Sequence, residues 1–198
     1  MRIIAGKFKR IVLYRSTNKK IRPLNDMVRE NIFNFLTHSN KISFQFERAN
    51  ILDLYSGTGS FGLECVSRQA KKTVFIEKEN EAIKILKKNI EKLKVKDKTK
   101  IFPGDVFYII NKHDKIPFDC LHNTKFDLIF CDPPFNDTNI NDLIELIIKK
   151  DLLKKNGIII LHRHKNTNEK LTINFELIDE RVYGLSKIIF GKSLATLS

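Results

Sequence analysis

Three features of this 198-residue chain predict an α/β fold built on a largely parallel sheet. Short apolar runs alternate with helical patterns from residue 50 onward. The runs are apolar throughout rather than at every second position, as strands covered on both faces require. Two of them end in loops rich in Gly or Pro, at the edge where open α/β sheets bind ligands. With 42% hydrophobic residues the chain can bury one substantial core, and it is too short for two domains of ordinary size. Two segments are expected: a basic extension over residues 1–25 and a main domain over 26–198.

The elements follow in order. The stretch Asp26 to Leu36 reads as a helix with Asp26 as N-cap and with Val28, Ile32, Phe35 and Leu36 on one face. Strands are predicted at Asn50–Tyr55, Thr73–Glu77, Lys100–Pro103, Phe126–Cys131 and Gly157–His162, and helices at Ser60–Gln69, Glu79–Leu93, Val106–Asn111 and Asn139–Lys150. Within Glu79–Leu93, the stripe Ile83, Leu86, Ile90 and Leu93 is core, and the lysines between them face water. Two last runs, Phe175–Val182 and Leu185–Phe190, are separated by Tyr183 and Gly184 and read as an antiparallel hairpin. The irregular piece Lys112–Thr124 is expected to be a surface excursion.

The formal charge of +13 points to a polyanionic partner, because Lys and Arg gain affinity by releasing counterions from phosphates. A general lysine bias would spread that charge evenly. Instead residues 1–25 hold eight basic residues (Arg2, Lys7, Lys9, Arg10, Arg15, Lys19, Lys20, Arg22) and no acid, which favours nucleic acid. Cys65, Cys120 and Cys131 form no CxxC pair and are odd in number, so neither a disulfide framework nor a zinc site is predicted. The five histidines show no metal spacing, and His162 and His164, straddling Arg163 at a strand end, read as surface residues. No run reaches the roughly 20 apolar residues of a membrane span. An acid-poor, Arg-bearing start also marks organelle transit peptides, but this one alternates like a strand, and a cytoplasmic monomer is expected.

Asp53, Tyr55, Gly57, Gly59 and Gly62 lie in DLYSGTGSFG, where a strand gives way to a helix. Glycines let the backbone turn tightly beside a ligand, and the helix N-terminus favours an anion, here an amino-acid carboxylate, while Asp53 accepts from an ammonium. Glu77, followed by Lys78, stands 20 residues past Gly57 at the next strand end, where a carboxylate can hold ribose hydroxyls. Asp105 and Val106, after Gly104, are placed at an adenine amino group and ring. Gly57, Gly59 and Gly62 also satisfy the G-x-G-x-x-G spacing of dinucleotide sites, and Glu77 and Asp105 can equally be strand-end caps.

The second string, Asp132, Pro133, Pro134 and Phe135, follows the strand Phe126–Cys131. Two prolines lack N–H donors and fix φ, holding the neighbouring carbonyls outward as acceptors. An exocyclic amine can then donate to the Asp132 carboxylate and the Pro133 carbonyl, with its base stacked on Phe135. An acidic turn stiffened by Pro-Pro is the structural alternative. In order along one alternating sheet, the two strings point to transfer of a methyl group from S-adenosylmethionine to an amino nitrogen of a nucleobase.

With these residues in place, the chain resembles the bacterial family of 16S ribosomal RNA guanine-N2 methyltransferases nearly end to end. The matching strings are MRIIAGKFKR, IRPLNDMVRENIFNFL, ILDLYSGTGSFGLECVSR, TVFIEKE, GDVF, FDLIFCDPPF and RVYGLSKIIF. The resemblance implies a Rossmann-like seven-stranded methyltransferase fold with an N-terminal β-hairpin extension and a catalytic domain over 26–198. It implies an RNA guanine acceptor, as naked ribosomal RNA or in a small subunit, contacted by Arg2, Lys7, Lys9, Arg10, Arg22 and Arg29. Leu24, Asn25, Met27 and Gln69 depart from the family's usual residues. A DNA adenine or cytosine amino-methylase would use a similar clamp but leaves no room for a recognition region. A protein side-chain methylase leaves the basic face unexplained, and a catalytically silent RNA-binding module leaves Asp53, Glu77 and Asp132 unexplained.

Overall fold

The computed structural model describes residues 1–17, 24–112, 124–168 and 170–194. Its helices are α1 (Asp26–His38), α2 (Ser60–Ser67), α3 (Asn80–Leu93), α4 (Val106–Asn111) and α5 (Ile140–Lys149). Its strands are β1 (Asn50–Leu54), β2 (Lys72–Glu77), β3 (Thr99–Pro103), β4 (Phe126–Cys131), β5 (Leu153–His164), β6 (Phe175–Tyr183) and β7 (Ser186–Ser193). They form one seven-stranded sheet in the order β3-β2-β1-β4-β5-β7-β6. β1 to β5 run parallel to one another, and β7 is antiparallel to both β5 and β6. This is the Rossmann-like arrangement, with its strand order reversing between β1 and β4.

Alternation along the strands sorts the core into layers. Ile51, Leu128, Phe130, Ile158 and Ile160 face α1 and α2, where Phe61 stacks on Phe130 at 3.9 Å between ring centroids. Leu52, Leu54, Ile129, Cys131, Ile159 and Leu161 face α4 and α5 on the other side. On α3, Ile83, Leu86, Ile90 and Leu93 are buried as the periodicity predicts, and Leu86 is fully covered. Burying one such leucine contributes roughly 2 kcal/mol.

The basic start is a narrow antiparallel loop, joined by a single bridge between Arg2 and Val12 rather than by extended strands. Ile3 and Leu13 anchor it in the apolar layer of α2 and α3. Glu64 on α2 is fully buried beneath it, accepting from the amides of Ile4 at 2.7 Å and Ala5 at 2.9 Å and from Arg68 Nε at 3.0 Å. Gly6 has φ +80°, and a Cβ there would lie 2.0 Å from the Ser67 carbonyl oxygen, so this approach needs glycine.

Several boundaries differ from the sequence reading. The N-cap of α1 is Asn25, whose side chain accepts from the Met27 amide at 2.8 Å, while Asp26 pairs with Arg29 one turn on. β5 begins at Leu153, four residues early, because its pairing with β4 skips the exposed Lys154, Lys155 and Asn156 between Leu153 and Ile158. Those polar residues hide the strand's start. The turn of the last hairpin is Gly184 and Leu185, with Gly184 at φ +61°. The excursion predicted at Lys112–Thr124, with Cys120, His113 and His122, lies almost wholly outside the described residues. Among the described residues no helix is long and apolar enough to cross a membrane.

Replacing Glu64 with Ala removes the acceptor for two amides and a guanidinium at once. The variant should lose about 2–4 kcal/mol of unfolding free energy, read as a lower urea midpoint at unchanged m value. Trypsin should then cut within Lys7–Arg10 in the otherwise folded protein.

Candidate active site

Parallel pairing sets Leu54 opposite Cys131, so the loops that follow β1 and β4 leave the same sheet edge side by side. The Asp132 amide donates to the Leu54 carbonyl at 3.4 Å, joining the two loops. Between them lies a cleft, open to solvent and lined by Asp53, Tyr55, Ser56, Gly57 and Asp132 over the ring of Phe61. Both strings singled out in the sequence thus border one space.

The loop after β1 is held in an uncommon shape. Tyr55, Gly57 and Gly59 all take left-handed backbone angles, with φ of +57°, +55° and +84°. At Gly59 a Cβ would meet Leu86 at 2.3 Å, so the turn can close only on glycine. Two carboxylates organise it from behind. Asp53, 1% exposed, accepts from the Gly62 amide at 2.9 Å. Glu77, also buried, accepts from the Gly57 amide at 2.6 Å and from the Lys78 and Glu79 amides at 2.9 Å each.

Burial raises the Asp53 pKa well above the usual carboxylate range; the Gly62 amide opposes this, and the charges of Asp132 and Glu77 reinforce it. Burial likewise raises the Tyr55 hydroxyl, with Asp137 adding to the effect. A ligand carrying positive charge would relieve the strain of an ionised Asp53. Ser56 Oγ is buried on the cleft wall without a hydrogen-bond partner among the described residues, which fits a polar ligand as well. An ammonium-bearing sulfonium compound therefore suits the residues present.

Glu77, Lys78, Asp105 and Val106 lie at the ends of the neighbouring strands rather than on the cleft wall. The Gly104 amide donates to the Glu77 carbonyl at 2.8 Å, drawing the β3 end toward β2. Asp105 caps α4, accepting from the Tyr108 amide at 3.1 Å, and Val106, the helix's first residue, is buried.

In the second loop Pro133 is buried, whereas Pro134 and Phe135 are exposed. The Pro134 carbonyl accepts from the Asp137 amide at 2.9 Å and from Arg163 Nη1 at 3.2 Å, so it is committed within the loop. Arg163, 1% exposed, also donates to the Asp137 carbonyl.

Two sequence readings are corrected here. His162 is not a surface residue: it is 7% exposed, with Nδ1 at 2.7 Å from Asp132 Oδ1 and Nε2 at 2.8 Å from Ser186 Oγ. It lies on the same face of β5 as Ile160, the face that Asp132 continues beyond Phe130, and strand parity was the signal that could have found it. Arg29 is fully buried and does not reach the surface. Its guanidinium donates to the Arg2 carbonyl, to Asp26 at 2.9 Å and to the Ser60 carbonyl at 3.5 Å, bracing the basic loop against α1. Burial lowers its pKa, and the charges of Asp26 and Glu64 oppose that.

Arg2, Lys7, Lys9 and Arg10 are exposed on the basic loop, and Arg22 lies outside the described residues. Cys65 and Cys131 are buried thiols, raised above their ordinary pKa by burial. Among the described residues no group of three His, Cys, Asp or Glu side chains is arranged to hold a metal ion.

Comparison with known proteins bears on family and fold. The family model described as "Conserved hypothetical protein 95" matches residues 1–192. The chain is 31% identical over 172 residues to a ribosomal RNA small subunit methyltransferase D of Buchnera aphidicola subsp. Baizongia pistaciae, covering 87% of this chain and 80% of that protein. The namesake protein of Haemophilus influenzae is 31% identical over 189 residues, covering 93% and 90%. Among solved structures, a hypothetical protein of Thermus thermophilus superposes with a TM-score of 0.76 at 22% identity, covering 96% of this chain and 98% of that one. The precorrin-6y C5,15-methyltransferase of Geobacter metallireducens shares the fold at a TM-score of 0.62 and 14% identity, covering 90% and 94%. The chain belongs to the conserved hypothetical protein 95 family, among relatives named ribosomal RNA small subunit methyltransferase D.

Proposed function

We propose that this protein is an S-adenosylmethionine-dependent methyltransferase acting on the exocyclic N2 amino group of a guanine in small-subunit ribosomal RNA. The observation that carries the chemistry is that Asp53 and Asp132 border one cleft at the point where strand order reverses. Ribosomal RNA as acceptor is supported by the relatives named above, and guanine N2 by the family resemblance of the sequence strings. The basic loop supports a polyanionic partner, and the reading includes action as a cytoplasmic monomer.

When bound, S-adenosylmethionine supplies an electrophilic methyl group on sulfonium sulfur. Asp53 accepts from its ammonium, and Ser56 Oγ on the cleft wall and the positive end of the α2 dipole favour its carboxylate. Glu77 keeps one acceptor position, on Oε2, beyond its three amide bonds for a ribose hydroxyl, and Asp105 and Val106 serve the adenine. Because Pro134 is engaged within its loop, the acceptor roles toward the guanine amine fall to Asp132 and the Pro133 carbonyl. They orient the nitrogen lone pair at the methyl carbon, and positioning of this kind supplies most of the acceleration. The amine nitrogen would lose a proton as it is methylated, and Asp132 or water would accept it. Phe135, 37% exposed, offers a ring face on which the extruded base stacks.

Tritiated methyl incorporation into small subunits, intact ribosomes, naked ribosomal RNA and DNA tests the acceptor. Label in DNA alone would overturn the reading, and nuclease digestion should return N2-methylguanine from RNA. In the same assay Asp132→Ala should lower kcat by at least about 100-fold while cofactor Kd changes less than about threefold.

Two further outcomes follow from the electrostatics. Burial raises the Asp53 pKa and a bound ammonium lowers it again, so binding of an ammonium-bearing ligand releases protons at pH values between the two. Calorimetry with S-adenosylhomocysteine should show enthalpies that vary with buffer ionisation in the sense of proton release, an effect that Asp53→Asn abolishes. By the same linkage, Asp53 stabilises the ligand-free fold at low pH, and that contribution is lost as pH rises through its elevated folded value. Charge reversal of Lys7, Lys9 and Arg10 to Glu should raise KM for RNA without changing kcat and should flatten the logarithmic salt dependence of binding by about 2.

A further inference from the structure

We infer that His162 is a positioning residue that sets the orientation of the Asp132 carboxylate; the inference rests on the reading of Asp132 as acceptor of the guanine amine. Four observations carry it. His162 is buried at the end of β5, and both ring nitrogens have partners, Asp132 Oδ1 at 2.7 Å and Ser186 Oγ at 2.8 Å. Two bare lone pairs repel at 2.7 Å, so Nδ1 carries the hydrogen toward the carboxylate, and in the neutral ring Nε2 accepts from the Ser186 hydroxyl. The site thus imposes the Nδ1–H form, the less common tautomer of free histidine. With Oδ1 tied to the imidazole, Oδ2 is left for the amine.

The next residue works from the opposite face of the strand. Arg163 binds the Pro134 and Asp137 carbonyls, so consecutive positions of β5 fix the carboxylate and the proline turn of the same loop. The imidazole also abuts the stacking surface: the Phe135 ring stands edge-on to it at 5.3 Å and 84°. One side chain therefore relates the acid that receives the amine to the ring that receives the base. Ser186, at the start of β7, lies diagonally across the antiparallel pair on the same face and closes the chain of hydrogen bonds.

The test combines spectroscopy and kinetics on the full chain. Nitrogen-15 NMR of imidazole-labelled protein at pH 8, without cofactor or RNA, should show His162 as the Nδ1–H tautomer, reverting to Nε2–H in Asp132→Ala. His162→Leu should lower kcat by about 10- to 100-fold with KM for RNA and cofactor Kd within about threefold. His162→Asn, whose side-chain amide can donate in place of Nδ1, should recover kcat to within about fivefold of the natural protein. Ser186→Ala removes only a hydroxyl and should lower kcat about threefold, which keeps the test open if the leucine variant misfolds. An Nε2–H tautomer in the natural protein, a leucine variant with full kcat, or an asparagine variant no better than leucine would overturn the inference. A natural protein that holds the Nδ1–H tautomer yet methylates no nucleic acid would sink the proposed function and leave the pairing standing.

Discussion

Everything at the site depends on one pairing, that of β1 with β4 in parallel register. Parallel strands present their carboxyl ends at one edge, and the reversal of strand order there parts the helices on the two faces, leaving a crevice. Residues 53–59 and 132–135 meet in it although an α-β-α-β-α run separates β1 from β4 in sequence. Shifting the pair by one residue would turn Asp53 and Asp132 toward α4 and α5, because successive side chains point to opposite faces. The apolar core specifies the register, and the register places the carboxylates.

The molecule places buried charge around that crevice with consistency. Asp53, Glu64, Glu77, Arg29 and Arg163 are all buried, and each meets backbone groups rather than only an opposite charge. Taking such ions out of water costs several kcal/mol apiece, so they are weak evidence for stability. What they share is that each ties a loop to a regular element: Glu64 and Arg29 the basic loop, Asp53 and Glu77 the glycine turn, Arg163 the proline turn. The function of these charges is geometric, holding loops of little apolar content against a rigid sheet.

The regular elements are legible in the sequence to the extent that each segment's own pattern decides it. β4 and α4 carry the predicted limits because an apolar run and a strong cap define them without help. β5 reads short because Lys154, Lys155 and Asn156 look like a loop, and only the neighbouring β4 shows that the chain is already pairing. Asn25 and Asp26 are both good caps, and the choice between them is settled by Arg29, which takes the aspartate. His162 and Arg29 mislead for one reason: a polar side chain on an amphipathic element reads as solvated unless what covers it is known, and Asp132, Ser186, Arg2 and Ser60 are distant in sequence even though Asp26 is not.

The chain alone determined what depends on residue type at a single point. Left-handed turns favour glycine at Gly57 and Gly59, paired prolines remove donors at Pro133 and Pro134, and an unbroken apolar run must be a covered strand. These are local constraints on backbone angles, hydrogen bonding and burial, and they suffice for fold class and for the two halves of the site. Tertiary structure decided which side of the molecule each charge faces and what it meets. It placed Arg29 under the basic loop rather than on its surface, and set His162 against Asp132. Burial is a property of the assembled layers, and no single segment carries the information about what will cover it.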